Sequence, residues 1–218
     1  MSKAAETTLQ SYRNLTVRRS RPPTAAAELS TLNGKIMQWS KRKKKVEEFF
    51  SDEVKGRVEL RSTHYRGTHD EEGRGYITFD KNEIWSMCTL SFYSIEYERI
   101  YEIVERDEIT PYEAQRVAHE ELAFEGKFNQ YTYYDSLDEY CQNSIEASLV
   151  SENLLIRCLA MLDSRLGKRR LRAMDLSKES QKVIEFYKIR CECEGMPFNK
   201  SINFAPSAPD AQKARAGY

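Results

Sequence analysis

Residues 37–90 read MQWSKRKKKVEEFFSDEVKGRVELRSTHYRGTHDEEGRGYITFDKNEIWSMCTL, and a change of apolar period inside this stretch decides the fold class. Up to Val54 the spacing is helical: Val46, Phe49, Phe50 and Val54 fall at i, i+3, i+4 and i+8. Ser40 is a candidate N-cap and Gly56 closes the segment. From Val58 the period drops to two. RVELRSTHYR puts Val58, Leu60, Ser62 and His64 on one face, and YITFD puts Ile77 and Phe79 on one side. EIWSMCTL sets Ile84, Ser86, Cys88 and Leu90 opposite Trp85, Met87 and Thr89. Three strands with short connections make an antiparallel meander, and helices must cover one of its faces.

Beyond Leu90 helical spacing resumes. Tyr93, Tyr97, Ile100, Tyr101 and Val104 form a stripe expected to pack on the sheet. Thr110, Pro111 and Glu113 combine a capping box with proline at the first helical position, and Ala114, Val117, Ala118 and Leu122 follow as an inner face up to Gly126. One helix is expected from about Ser136 through Leu137, Tyr140, Cys141, Ile145 and Leu149. Another starts near Asn153, carries Leu155, Leu159, Leu162 and Leu166, and has Gly167 as terminator. After KRRLRAMD, Ser177 is placed to cap a last helix with Val183, Phe186, Tyr187 and Ile189, ending at Gly195. The expected class is α+β: an N-terminal helix, a three-stranded antiparallel meander, then about five helices packed on the sheet and each other. Residues 1–36, with Pro22 and Pro23 and no apolar period, read as a flexible basic extension; 37–196 read as one α+β domain, and 197–218 as a flexible tail.

Composition limits the chemistry. Hydrophobic residues make up 40%, with 13 Tyr and 9 Phe, enough for a core without staples. The five cysteines are odd in number and sit among apolar residues, as expected for reduced thiols in a cytoplasmic protein. Cys191 and Cys193 lack a second pair at ligand spacing, so no zinc or other metal site and no cofactor is expected. No apolar run reaches the ~18 residues of a membrane span, and no secretory leader is recognisable. The formal charge is zero, but it is unevenly placed. Residues 1–36 hold six Lys/Arg against Glu6 and Glu28, and residues 197–218 hold Lys200, Lys213 and Arg215 against Asp210, so the middle of the chain is acidic. A domain built mainly to neutralise a phosphate backbone shows the opposite balance.

MQWSKRKKKVEEFF, KGRVELRSTHYRGTHDEEGRGYITFD, IRCLAMLDSRLGKRRL and FYKIRCECEG together resemble a family of small, uncharacterised bacterial cytosolic proteins of unknown function. The resemblance spans about residues 37–195. It implies a natural start at Met37, with residues 1–36 an extension peculiar to this chain, and it implies no activity.

Two clusters are candidate sites. Around the first hairpin loop stand Arg66, His69, Asp70 and Arg74, with His64, Glu71 and Glu72 beside them. A histidine among carboxylates can bind a ligand or partner, or act as a general base in a hydrolase. The same residues also make an ordinary polar turn with cross-strand pairs. A basic patch is the second candidate: Lys41, Lys44 and Lys45 on the first helix, with Lys168, Arg169 and Arg170 after Gly167. A charge run on a helix is commonly a solvated face, and cations suit a helix C-terminus. His119, between acidic neighbours, reads as a surface residue. There is no G-x-S-x-G, P-loop or G-x-G-x-x-G.

The preferred expectation is a non-enzymatic interaction module that binds a protein partner or itself. Residues 91–126 support it, with ten Asp/Glu against Arg99, Arg106 and Arg116. The second is RNA binding, because helix, three strands, helix is the order of the double-stranded-RNA-binding domain; here the matching second helix is acidic. A hydrolase using His69 and Asp70 is the third. No membrane partner is expected.

Overall fold

A computed structural model describes residues 38–67 and 72–197. The first helix, α1 (Trp39–Glu48), already includes Ser40, which is therefore not its cap. It also stops before Gly56. Phe49 and Phe50 leave the helix because their backbone pairs with the chain after a later helix: Ser164 N donates to Phe49 O at 2.7 Å and Ser51 N to Leu162 O at 3.0 Å. Val46, Phe50 and Val54 remain fully buried, so the helical period correctly marks the inner face although only part of it is helix.

Strands β1 (Val58–His64), β2 (Gly73–Phe79) and β3 (Asn82–Cys88) form the antiparallel meander in the order β1-β2-β3. Val58 faces Phe79, Leu60 faces Ile77, and Ile77 in turn faces Trp85. Asp80 (φ 47°) and Lys81 (φ 68°) make the β2–β3 connection; positive φ at both central positions matches the twist of the flanking strands. The free edge of β1 is closed by α1. Glu47 accepts from Leu60 N at 2.8 Å and Lys43 donates to Leu60 O at 3.0 Å, so part of the lysine run serves the sheet. Strand β2 begins at Gly73, earlier than the expected Tyr76, and β3 ends at Cys88, with Thr89 and Leu90 opening the next helix.

That helix, α2 (Thr89–Asp107), and α3 (Pro111–Phe124) form a hairpin. The capping box is present: Thr110 Oγ1 accepts from Glu113 N, and the Glu113 carboxylate accepts from Thr110 N at 3.0 Å. The buried face of α2 is Phe92, Glu96, Ile100 and Ile103, whereas Tyr93, Tyr97, Tyr101 and Val104 are only half-buried. The expected stripe assumed that α2 lies on the sheet. Instead the small Ala114 and Ala118 of α3 let the two helices close on each other, and with Ile100 and Ile103 they make a second, smaller core. The hairpin ends where it began: Gln130 N donates to Thr89 Oγ1 at 3.3 Å.

Helix α4 (Gln130–Tyr140) starts well before Ser136, because the Asn129 side chain caps it by accepting from Thr132 N at 2.8 Å. It breaks at Cys141, and Ser144 caps the short α5 (Ile145–Leu149), so the single expected helix is two. In α6 (Leu154–Leu162), capped by Asn153, every residue but Arg157 is buried. Gly167 is the N-cap of α7 (Lys168–Arg172), not a terminator. Ser180, and not Ser177, caps α8 (Gln181–Cys193). Among the described residues seven helices follow the sheet, two of them five-residue pieces, where about five were expected.

The larger core gathers Val58, Leu60, Ile77 and Met87 of the sheet with α1, α4, α6 and α8. Each fully buried aliphatic side chain in it contributes about 1.5–3 kcal/mol. Its buried charges are paired, whereas the hydroxyls of Tyr133 and Ser148 are buried without a hydrogen-bond partner among the described residues. Asp163, fully buried, accepts from Tyr140 Oη at 2.5 Å and from Arg165 Nη2 at 2.6 Å. Arg190 meets Glu194 at 2.6 Å and donates to Leu162 O at 2.6 Å.

Candidate functional site

Of the hairpin-loop candidates, His69 and Asp70 lie outside the described residues. Arg66 is exposed in the turn after β1. Arg74 belongs to β2, where its guanidinium lies 4.4 Å from the Tyr76 ring centroid and 3.1 Å from the Glu83 carboxylate. It thus pairs across the β2–β3 ladder.

The two stretches of the basic patch meet at one corner. Helix α1 runs beside α4 in the same direction: Trp39 packs on Tyr134 with centroids 5.5 Å apart, Arg42 grips Asp138 at 2.6 Å, and Phe49 meets Tyr140 at 5.8 Å. Both helices therefore present their C-termini at the turn between α4 and α5. There burial pushes the Cys141 thiol up to about 11, against the opposing pull of Lys45 and Arg165. Arg165 also donates to Asn143 O at 3.0 Å, and Arg170 reaches Glu146 at 2.8 Å. Not all of the patch is free. Lys168 lies 3.6 Å from Glu53 and 3.7 Å from Glu194, and Lys44 4.0 Å from Glu48. Lys41, Lys45, Arg169 and Arg172 are exposed and have no ion-pair partner among the described residues.

The α2–α3 hairpin is the opposite pole. Its arginines are consumed internally: Arg99 holds Glu121 and Glu125, each at 2.8 Å, Arg106 holds Asp107 at 2.7 Å, and Arg116 holds Glu120 at 2.9 Å. Hydrogen bonds from Arg99 keep the Glu121 carboxyl below its usual range, and those from Lys127 and Arg99 do the same for Glu125. Glu98, Glu105 and Glu108 are left exposed without an ion-pair partner among the described residues.

His119 is a junction, not the surface residue expected. Its Nδ1 lies 3.0 Å from Glu96, a carboxylate only 5% exposed, and its Nε2 lies 3.4 Å from Thr132 Oγ1. Its ring centroid is 5.1 Å from that of Phe92. Hydroxyl, imidazole and carboxylate in that order form the chain used for nucleophile activation. Here, however, Thr132 Oγ1 donates to Asn129 Oδ1 at 3.0 Å, inside the cap of α4, so the group reads as a clasp between α2, α3 and α4. No local spacing relates Glu96, His119 and Thr132, and nothing short of the fold brings them together.

Helix α4 connects the poles. Its first turn carries Thr132 against the acidic hairpin, and its last turn ends at the cationic corner. Eleven residues make it about 16 Å long. Its dipole is positive toward the acidic pole and negative toward the basic one, which favours both. Among the described residues no group of His, Cys, Asp and Glu has the arrangement to hold a metal ion, and no helix is long and apolar enough to cross a membrane. All five cysteines are free.

The family model that matches the chain is that of the SF0329 protein family, over residues 38–191. No curated protein and no solved structure matches.

Proposed function

The chain belongs to the SF0329 protein family, and from that premise we propose that it is a non-enzymatic interaction module of the bacterial cytoplasm, taking a positively charged protein surface on its α2–α3 hairpin. One observation carries this reading: the hairpin neutralises its own arginines and leaves Glu98, Glu105 and Glu108 facing solvent at one end of α4. Such a field raises the encounter rate with cationic partners and selects against anionic ones. Five free thiols suit a reducing compartment.

The test is fluorescence anisotropy on the full chain with a labelled lysine- and arginine-rich peptide, and separately with a short double-stranded RNA. The peptide is expected to bind, to weaken about tenfold or more between about 50 and about 200 mM salt, and to be lost with Glu98→Lys/Glu105→Lys. Unchanged peptide binding by that variant would overturn the reading.

RNA binding is the second reading, favoured by the exposed Lys41, Lys44 and Lys45 on α1 and by the order α1-β1-β2-β3-α2. Against it stand the acidic α2 and its packing on α3. Steeply salt-dependent RNA binding, abolished by alanine at those three lysines, would favour RNA over the protein partner.

A further inference from the structure

We propose that the partner taken by the hairpin is a second copy of this chain, docking head to tail through its basic corner. The proposal rests on the reading of the hairpin as a face for cations, and it names which cations those are.

Three observations point to it. The first is complementarity within one chain: Glu98, Glu105 and Glu108 at one pole, Lys45, Arg169 and Arg172 at the other, all exposed. The second is distance. The rigid length of α4, about 16 Å, holds the poles of one molecule apart, so they can meet only between molecules. With a formal net charge of zero and an isoelectric point near 6.9, two copies carry no overall repulsion to oppose that approach. The third is the placement of exposed apolar side chains. Among the described residues, the large hydrophobics most open to solvent are Leu90 (47%), Tyr112 (73%), Phe124 (72%) and Val150 (80%). The first three stand on the acidic hairpin, and Val150 directly follows α5, whose Glu146 is gripped by Arg170 at the basic corner. Leu90 and Phe124 stand at the base of the hairpin, at the start of α2 and the end of α3, and Tyr112 stands at its tip beside Glu108; exposed aromatic and aliphatic side chains beside complementary charge suit a protein–protein contact.

Docked head to tail, unlike patches meet in a heterologous contact that repeats into a ring or an open chain; two antiparallel copies exchanging both pole pairs would instead close as a two-fold dimer, and the limiting mass at high protein concentration separates the two. A face one helix wide on α2, about 28 Å long at 19 residues and ~10 Å across, covers roughly 300 Å², small beside the ~800 Å² per partner of a standard interface. The association is therefore weak and salt-labile.

Sedimentation equilibrium of the full chain tests this, with folding of each variant checked by circular dichroism. The wild-type average mass is expected to rise with concentration at about 50 mM salt and to fall to the monomer at about 500 mM. Glu98→Lys/Glu105→Lys alone and Lys45→Glu/Arg169→Glu alone are each expected to weaken association at least about tenfold, and an equimolar mixture of the two to restore it. Phe124→Ser is expected to weaken it without altering charge. If the wild type stays monomeric while the basic peptide still binds the hairpin, the second copy is excluded and the interaction module stands. If the wild type associates but the mixture of reversed variants does not recover, association runs through other surfaces and the proposal falls. If neither association nor peptide binding occurs, both readings fall.

Discussion

Gly73 and Gly75 decide how closely α4 lies on β2. A Cβ on Gly75 would overlap the ring of the fully buried Tyr133, and one on Gly73 would overlap Thr63 O of the neighbouring strand first and then sit 2.8 Å from Gln130 Nε2 of α4. Gly75→Ala is expected to destabilise the chain by about 1–3 kcal/mol through overpacking. Gly167→Ala, where nothing lies within 4 Å, loses only the preference for glycine over alanine at the N-cap of the short α7 and should cost no more than about 1 kcal/mol. Urea unfolding of the two variants checks the contrast, and equal midpoints would refute it. Cys88 stands apart from the other cysteines. Its burial opposes ionisation, but hydrogen bonds from Tyr65, Ser91 and Leu90 outweigh it and hold the thiol below its ordinary value. Burial raises the thiols of Cys141, Cys158, Cys191 and Cys193. Iodoacetamide near neutral pH should therefore label Cys88 first, and Tyr65→Phe should slow that labelling; peptide mapping that found Cys141 or Cys193 ahead would contradict this. At this scale, what is legible in the sequence is what is local. Thr110 and Glu113 announce their own geometry, because a capping box needs only four consecutive residues. Arg74 and His119 do not, since Glu83 becomes the partner of one only across a sheet, and Glu96 of the other only across a helix pair.

At the scale of elements, type is legible and boundaries are not. The switch from helical to alternating period at Val58 marks a real strand, yet α1 ends at Glu48 because Phe49 and Phe50 find backbone partners around Asp163, far along the chain. The misplaced face of α2 has the same origin: its tyrosine stripe is as periodic as its buried stripe, and only the small residues of α3 decide between them. The hairpin also carries an acid-sensitive set of carboxylates. Asp107, Glu113, Glu121 and Glu125 are all held below their ordinary values by hydrogen bonds, from Arg106, Thr110, Arg99 and Lys127 respectively in first place. A carboxyl with a depressed folded value stabilises fully above its unfolded value and loses that contribution as pH falls through the folded one. The window thus opens below about 4.5 for Glu and 3.8 for Asp. Hydrogen exchange, corrected for intrinsic rates, should show α2 and α3 losing protection on acidification before α6 and α8 do. Simultaneous loss throughout would count against a separate response of the hairpin.

For the whole molecule, the α+β class and the meander are legible because they rest on periods sustained over many residues. The function is less so, since it depends on which charges remain after pairing, and pairing is a property of the folded chain. Among the α1 and α7 cations, Lys43 and Lys168 serve the scaffold while Lys45 and Arg169 face solvent, a division that composition does not contain. The hydrogen bond from Gln130 to Thr89 has a consequence for chain topology. The polypeptide departs from the sheet and returns to the same spot, and the buried members of the larger core skip from Met87 to Phe128. The intervening hairpin is a closed excursion, tied to the rest of the fold by the contact of His119 with Thr132 and by Ala123 against the larger core, and we expect the frame to fold without it. Replacing residues 91–125 by a short glycine–serine link should leave a cooperatively unfolding domain, whereas a molten product would show that the hairpin is needed after all. A loop that leaves and re-enters at one point can lengthen, shrink or be exchanged without disturbing the frame, so the acidic pole is the part of this molecule most open to grafting onto another scaffold.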